Sequence, residues 1–375
     1  MVRFLHTSDW QLGMTRHFLR ADAQARFHAA RIDAIRAIGR IAAERRCQFV
    51  VVAGDVFESN LVDRAIVLRG LQAMREAAIA FYLLPGNHDP LDAASVYTSR
   101  VFRENQPGNV HVLGTEPVEV EPGVVLIGAP WVSKRASTDP LAAALQRAAT
   151  LQGIRIVAGH GQVDTMVPGL NAGGLVGLQA VEAAIAAGWV HYVALGDRHS
   201  RTPVGASGRA WYSGSPEPTD YDEDDPGWVL VVDVGHGDCG VEAVKTATWR
   251  FAQQRFDLGG DSDIARVRTW LDGLSNKDRT ILKLSFVGTV NLAARAELDD
   301  VLAHHASMFA AIEQWERHTD LVVFAGEHDL SDLRLAGFAE AAAKDLAALA
   351  SGEGAQAVAA RDALALLYRL ARGAA

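Results

Sequence analysis

Residues 49–55 read FVVVAGD, which is five consecutive apolar residues followed by Gly-Asp. An uninterrupted apolar run of this length is typical of a strand buried on both faces of a parallel sheet. A predicted strand at 2–6 and a predicted helix at 23–46 precede it, so the chain opens as a β-α-β unit. The Gly-Asp pair stands at the end of the strand, where α/β proteins gather the ligands of a functional site.

The alternation of short apolar runs and helical stretches continues along the chain and predicts an α/β fold. After residue 246 the pattern changes to two helices and two strands, which indicates a small second domain. The last stretch contains two Ala/Leu-rich helices at 336–350 and 357–372, whose leucine stripe packs either on the chain itself or on a partner. We expect three parts: 1–240, 246–330 and a helical tail at 336–375.

The composition is that of a folded globular protein and excludes disordered and fibrous classes. The chain has 375 residues with 45 acidic and 36 basic side chains, for a net charge of -9. Its charge therefore does not indicate nucleic acid, and a polyanion would need a local basic patch or metal ions. Cys47 and Cys239 are too few and too far apart for a disulfide framework or a zinc ribbon. With no signal-peptide pattern and no long apolar run, we expect a cytoplasmic protein without a membrane segment.

Five polar clusters follow predicted strands and carry the chemistry of the sequence. They lie at 9–11 (DWQ), 54–55 (GD), 86–89 (GNHD), 159–160 (GH) and 196–199 (GDRH). Their glycines allow tight turns and close backbone approach. Carboxylate, amide and imidazole donors together suit hard or borderline divalent ions such as Mn²⁺. The sequence therefore predicts a metal site at the ends of these strands.

These motifs resemble the calcineurin-like metallophosphoesterases, because GNHD at 86–89 has GD at 54–55 upstream and GH at 159–160 downstream. The segments 6–13, 53–59, 84–89 and 212–216 further resemble the SbcD type of bacterial DNA-repair nuclease subunit. The resemblance extends to about residue 234. It implies a four-layer α-β-β-α sandwich with a small α/β capping domain and a C-terminal helical tail.

The resemblance also implies which residues hold two divalent ions. The ligand set would be Asp9, Gln11, Asp55, Asn87, His160, Asp197 and His199. Asp55 would bridge the ions, the first ion would take the donors at 9, 11 and 199, and the second those at 87, 160 and 197. His88 would hydrogen-bond the scissile phosphate or protonate the leaving oxygen, with Asp89 orienting it. Two ions about 3.5–4 Å apart suit phosphodiester hydrolysis because they activate water and neutralise charge on the attacking and leaving oxygens.

The sequence departs from the family at two of these ligands. Gln11 stands where the family has His, and Asp197 replaces the first His of its last motif. Both changes put oxygen in place of nitrogen, so we expect a harder site that prefers Mn²⁺, or Mg²⁺, over zinc or nickel. Gln11 is a weaker donor, so a chain with a half-filled or decayed site, acting as a scaffold, is the alternative.

The expected function is a metal-dependent DNA exonuclease or endonuclease in double-strand break repair. Arg16 and Arg198 are the candidates for binding DNA phosphates. The acidic loop at 217–225 is expected to be solvated. The resemblance implies an SMC-like ATPase partner of the SbcC kind, for which the tail is a candidate dock, and a homodimer. The alternatives are a small-substrate phosphodiesterase or phosphatase of the same fold and a weakened adaptor for the ATPase.

Overall fold

The computed structural model describes residues 1–134, 138–167, 174–324 and 335–373. The chain divides into two compact units. The first comprises residues 1–17 and 24–249, and the second comprises residues 18–23 and 250–375.

The first unit contains two six-stranded sheets. One sheet has the order β12-β11-β1-β2-β3-β4 and the other β5-β6-β7-β8-β10-β9. The strands of the first sheet are β1 Val2–Thr7, β2 Phe49–Val52, β3 Ala80–Leu83, β4 Val110–Val112, β11 Trp228–Val234 and β12 Cys239–Lys245. Those of the second are β5 Val118–Glu121, β6 Val124–Gly128, β7 Ile154–His160, β8 Tyr192–Gly196, β9 Thr202–Val204 and β10 Ala210–Tyr212. Strands β1 to β4 are parallel, and so are β6, β7 and β8.

Five helices join the strands of this unit in the described part of the chain, and all of their residues belong to it except the first three of α1. They are α1 Ala21–Glu44, α2 Arg64–Glu76, α3 Arg100–Asn105, α4 Ala142–Ala148 and α5 Leu178–Ala186. Helix α2 begins at the Asp63 cap, whose carboxylate accepts the N–H of Ala65. This bond satisfies one of the amides that every helix start leaves without an intrahelical partner.

Alternate residues of β2 face two different cores, which explains its uninterrupted apolar sequence. Val50 and Val52 pack toward α1 and α2, whereas Phe49 and Val51 pack between the two sheets. A third core joins α4 and α5 to the outer face of the second sheet. The layers are therefore helix, sheet, sheet and helix, and the predicted α-β-β-α sandwich is confirmed.

The second unit contains a four-stranded sheet and four helices among its described residues. Its strands are β13 Arg250–Leu258, β14 Thr280–Asn291, β15 Ala311–Gln314 and β16 Asp320–Phe324. Its helices are α6 Asp261–Gly273, α7 Leu292–Ala306, α8 Phe338–Ala350 and α9 Ala355–Gly373. Strand β12 pairs with β11 along its whole length, so the first unit continues past residue 240 to 249.

The tail helices α8 and α9 pack on the chain's own second unit. Ala350, Ala360 and Leu364 belong to the same core as α6 and α7. Phe338 and Leu370 remain 89% and 65% exposed, so part of the predicted apolar stripe faces solvent. Within the described residues, no helix combines the length and the apolar character needed to span a bilayer.

Candidate metal centre

The five predicted clusters follow β1, β2, β3, β7 and β8, and their donors converge. Asp9, Asp55 and His160 are buried, and each offers one donor atom within 4.8 Å of the others. Asp9 and Asp55 come from neighbouring parallel strands of the first sheet, and His160 ends β7 of the second. The centre therefore lies where the two sheets bring their strand ends together.

Local backbone geometry explains why glycines precede the donors. A Cβ on Gly54 would lie 2.0 Å from Nδ1 of His160, and one on Gly86 would lie 2.1 Å from Oδ1 of Asp55. Four of the seven predicted ligands have a positive φ angle, which few non-glycine residues adopt. Their φ angles are positive at Asp9 (54°), Gln11 (44°), Asp55 (54°) and Asp197 (97°). Such strain is concentrated at functional sites.

Asp55, the predicted bridging ligand, is fixed through both carboxylate oxygens. Its Oδ1 accepts the backbone N–H of His88 at 3.0 Å, and its Oδ2 lies 3.4 Å from Nε2 of His160. Burial tends to raise the pKa of Asp55, but the nearby His160 and His88 lower the pKa below its usual value. Asp55 is therefore held as a carboxylate.

His160 directs Nε2 toward a group of oxygens. Its Nδ1 lies 2.9 Å from the carbonyl of Ala53, which can only accept a hydrogen bond, so Nδ1 carries a hydrogen. Its Nε2 then faces Oδ1 of Asn87 at 2.8 Å, Oδ2 of Asp55 at 3.4 Å and Oδ1 of Asp197 at 3.7 Å. A proton on Nε2 or a shared cation relieves the repulsion between this nitrogen and the surrounding oxygens. Burial tends to lower the pKa of His160, but Asp55, Asp9 and Asp197 raise it well above the usual value.

The predicted ligands of the first ion also lie together. Oδ1 of Asp9 is 4.0 Å from Nε2 of His199, and the Gln11 amide nitrogen is 3.2 Å from the same atom. Ser8 donates to Oδ2 of Asp9 at 2.6 Å, and the Asp197 N–H donates to Oδ1 at 3.1 Å. Asp9 is thus fixed by neutral donors, and one of its oxygens lies within 4.8 Å of the donor atoms of Asp55 and His160.

Two buried oxygens support a cation at each side of Asp55. Oε1 of Gln11 and Oδ2 of Asp197 have no hydrogen-bond partner among the described residues. A buried polar atom without a partner is costly, and an ion would satisfy it. The residues present therefore fit two divalent ions, with oxygen donors at both positions where the family pattern has imidazole.

His88 lies at the centre, but Asp89 does not orient it as predicted. Nδ1 of His88 is 3.0 Å from the carbonyl of Glu58, and Nε2 is 4.0 Å from Oδ2 of Asp55. Asp89 instead accepts the N–H groups of Phe57 and Gly86 and the hydroxyl of Tyr97. The buried carboxylate of Asp89 therefore connects two loops. Although Asp89 follows His88 in sequence, the two side chains point in different directions, so the prediction was wrong. Burial raises the pKa of Asp89 to about 6.

The acidic loop, residues 217–225, is solvated only in part, although its charge predicts a solvated segment: Asp220, Asp222 and Asp224 are exposed, but two glutamates are not. Glu217 is 1% exposed and accepts the N–H groups of Thr248 and Trp249. The side chain of Glu223 is 5% exposed and lies against His199. A run of like charge does not reveal which carboxylates find buried donors, so no signal in the sequence distinguishes these two.

Both predicted phosphate-binding arginines are engaged by this loop. Arg16 donates to the carbonyl of Thr219 at 2.9 Å and pairs with Asp220 at 3.4 Å. Arg198 donates to Oγ1 of Thr202 at 2.9 Å and pairs with Asp224 at 3.3 Å. Arg198 is half exposed and lies beside the proposed ligands, whereas the guanidinium of Arg16 helps to hold the loop.

We predict that the metal-free protein loses stability as the pH rises from 6.5 to 9. Burial tends to lower the pKa of His199, but Glu223 and Asp9 raise it to about 9. Because the unfolded value is near 6.5, the folded state binds more protons in this window, and the unfolding free energy falls by about 3 kcal/mol. Urea unfolding of chelator-treated protein at both pH values measures this change. The His199→Asn variant should flatten the dependence, and an equal slope in both proteins would contradict the prediction.

Helices outside two sheets, with strand-end donors for divalent ions between them, define the metallophosphoesterase class of hydrolases. The sequence profile of the calcineurin-like phosphoesterases matches residues 2–236, and the chain belongs to this family. Its members use a dimetal centre, for which the donors around Asp55 are the candidate.

Known structures include similar proteins at low sequence identity. One is the protein TT1561 of Thermus thermophilus, with 12% identity over 65% of this chain and 99% of that chain, at a TM-score of 0.41. Another is a dimetal phosphatase from Danio rerio, with 14% identity over 65% of this chain and 99% of that chain, at a TM-score of 0.41. No curated protein matches the sequence.

Proposed function

We propose that this metallophosphoesterase is a DNA nuclease that hydrolyses phosphodiester bonds in double-strand break repair. The observation that carries the proposal is the convergence of oxygen and imidazole donors on both sides of Asp55. The motifs at 6–13, 53–59, 84–89 and 212–216 support DNA as the substrate, because they resemble the SbcD type of nuclease subunit.

The ions would be held by the seven predicted ligands. When bound, two divalent ions supply an activated water and neutralise charge on the attacking and leaving oxygens. We propose Mn²⁺, with Mg²⁺ as the alternative, because Gln11 and Asp197 add oxygen donors where the family has nitrogen. Oε1 of Gln11 and Oδ2 of Asp197 are buried without a hydrogen-bond partner among the described residues, which supports this choice.

The protein's own groups orient the substrate and move a proton. His88 is held through Nδ1 by the Glu58 carbonyl, so its Nε2 is directed toward Asp55 and is available to a phosphate oxygen. A protonated Nε2 can hydrogen-bond the scissile phosphate or give its proton to the leaving oxygen. The side chain of Arg198 is 39% exposed, and its guanidinium can attract the next phosphate of a chain.

The partner proposals rest on the same resemblance. We propose that an SMC-like ATPase of the SbcC kind binds the tail, that the protein forms a homodimer, and that it acts in the cytoplasm. The exposed Phe338, Leu366 and Leu370 of α8 and α9 support the tail as the docking element. We expect the double substitution Leu366→Asp and Leu370→Asp to abolish ATPase capture in a pull-down and leave nuclease activity unchanged. Full capture by the variant would contradict the docking proposal.

A small-substrate phosphoesterase is the second candidate, and the acidic loop favours it. Asp220 and Asp224 form ion pairs with Arg16 and Arg198, the two cations that were predicted to bind DNA phosphates. A polyanion is attracted less strongly to such a surface than a single phosphate ester is. The third candidate, a weakened adaptor for the ATPase, is favoured by the contact of Gln11 with Nε2 of His199, which competes with metal binding.

One assay separates the three candidates. Linear double-stranded DNA and bis-p-nitrophenyl phosphate are incubated with the protein and Mn²⁺, with and without a chelator. A DNA nuclease cleaves both in a chelator-sensitive reaction, a small-substrate enzyme cleaves only the ester, and an adaptor cleaves neither. Cleavage of the ester alone would overturn the nuclease proposal.

A further inference from the structure

The acidic loop places one carboxylate against a proposed ligand of the first ion. Oε1 of Glu223 lies 2.9 Å from Nδ1 of His199, on the ring side opposite to Asp9. The side chain of Glu223 is 5% exposed, whereas that of Asp224 is 83% exposed and Asp222 is also exposed. Glu223 is therefore a buried member of the site, unlike the two carboxylates beside it in sequence.

The direction of the hydrogen bond follows from the groups around Nδ1. The carboxylate of Glu223 can only accept. The Thr219 hydroxyl gives its hydrogen to Glu223, and its oxygen lies 2.7 Å from Nδ1 of His199. Both groups therefore accept from Nδ1–H. In the neutral ring, this leaves the lone pair on Nε2, which faces Asp9 and Gln11.

Glu223 is held in place by contacts that do not involve His199. The Thr219 N–H donates to both carboxylate oxygens, at 3.1 and 2.9 Å. The loop is anchored on either side, because Arg31 donates to the carbonyl of Pro218 at 2.9 Å and the Asp224 N–H donates to Oγ of Ser200 at 2.9 Å. The carboxylate is thus positioned before it meets the imidazole.

We propose that Glu223 is a positioning residue, which fixes the tautomer and ring orientation of His199 so that Nε2 binds the first ion. This inference rests on the proposed two-ion function. A carboxylate that accepts from the second nitrogen of a metal-binding imidazole raises the basicity of the ligand and fixes its direction. We expect the contribution of Glu223 to metal affinity to be larger here than in a site with two imidazoles. The reason is that Gln11 offers oxygen, so His199 supplies the nitrogen donor among the proposed ligands of the first ion.

Glu223→Gln is the decisive variant because it keeps the size of the side chain. In Glu223, Oε1 accepts from Nδ1–H of His199 and from the Thr219 hydroxyl, and the Thr219 N–H donates to both Oε1 and Oε2. An amide has a single acceptor oxygen for these donors. The amide nitrogen then meets one of these donors. Asp222→Asn is the matched control, since it removes the same charge from an exposed position one residue away.

Manganese titration by calorimetry and the proton spectrum of the metal-free protein provide two readouts. We expect wild type to bind two Mn²⁺ ions, and Glu223→Gln to weaken one of the two affinities by about 10- to 100-fold. Hydrolysis by the variant should recover as Mn²⁺ is raised. In metal-free wild type the Nδ1–H resonance of His199 should be protected from exchange, identified by its absence in His199→Asn, and Glu223→Gln should abolish that protection.

The outcomes separate this inference from the proposed function. Unchanged affinities for both ions in a folded Glu223→Gln protein would overturn the role of Glu223 and leave the nuclease proposal standing. An equal loss in Asp222→Asn would also overturn it, because the effect would then be one of net charge. A wild-type protein that binds fewer than two Mn²⁺ ions would overturn the proposed two-ion function itself. Circular dichroism and the melting temperature establish that each variant is folded.

Discussion

Asp55→Asn is expected to reduce metal-dependent hydrolysis by at least about 10³-fold, comparable to the loss of an electrostatic interaction of about 4 kcal/mol in a water-excluded site. Asp55 is the proposed bridging ligand: it accepts the His88 N–H, lies 3.4 Å from His160 and has a carboxylate oxygen within 4.8 Å of one of Asp9. Asparagine keeps the shape and can hold the Oδ1 contact, but it removes the charge that a pair of cations requires.

Asparagine is a sharper probe than alanine because of the backbone at this position. Asp55 has a φ of 54°, and Asn tolerates this left-handed region far better than Ala does. A loss of activity in Asp55→Asn therefore reports on charge rather than on a displaced loop. Steady-state hydrolysis and Mn²⁺ binding are measured together, with Asp33→Asn on the exposed face of α1 as the control. If Asp55→Asn keeps more than about a tenth of the wild-type activity, the proposal that Asp55 bridges the two ions is wrong.

His88→Asn is expected to lower kcat by about 10²- to 10³-fold on DNA, with Mn²⁺ binding unchanged. The imidazole contacts the Glu58 carbonyl and faces Asp55 across 4.0 Å, so it is close enough to reach a phosphate but is not among the proposed ligands. A nucleotide leaving group needs a proton, whereas p-nitrophenolate leaves without one. The loss with bis-p-nitrophenyl phosphate should therefore be smaller than about tenfold.

Comparison of the two substrates identifies what His88 does. If His88→Asn lowers kcat strongly on DNA but not on the ester, His88 gives a proton to the leaving oxygen. If kcat falls equally on both substrates, His88 donates a hydrogen bond to the phosphate. Unchanged rates on both substrates would contradict a catalytic role. His111→Asn, on the exposed side of β4, is the control for the removal of an imidazole.

The sequence predicts well those helices and strands of the first unit that are buried on one face or on both. The strand predicted at 2–6 spans Val2–Thr7, and the helix predicted at 23–46 spans Ala21–Glu44, so both agree with the prediction to within two residues. Strand β12 was not predicted, since Cys239–Lys245 is a half-exposed edge strand with few apolar residues. Such a strand exists because β11 offers it hydrogen bonds, and that information is not local.

The sequence predicts those residues of the candidate site that lie within recognisable motifs. Gly-Asp, Gly-Asn-His-Asp and Gly-His place Asp55, Asn87, His88 and His160 at strand ends, and the structure brings them together. The supporting contacts were not predictable. Asp89 lies next to His88 but turns to Tyr97, and Glu223 reaches His199 from 24 residues away. Contacts of this kind depend on how two loops meet, which no spacing along the chain records.

The left-handed backbone at four proposed ligands narrows which substitutions evolution can accept there. A β-branched residue such as Thr or Val is a genuine outlier at a φ near 50°, while Asn, Asp and His are the residues most often found there. Gln11 adopts a φ of 44° in the structure, and His is among the residues most often found in this region, so an exchange between the two needs no rebuilding of the loop. Metal preference can thus change by exchange of a single side chain at this position on an unchanged main chain.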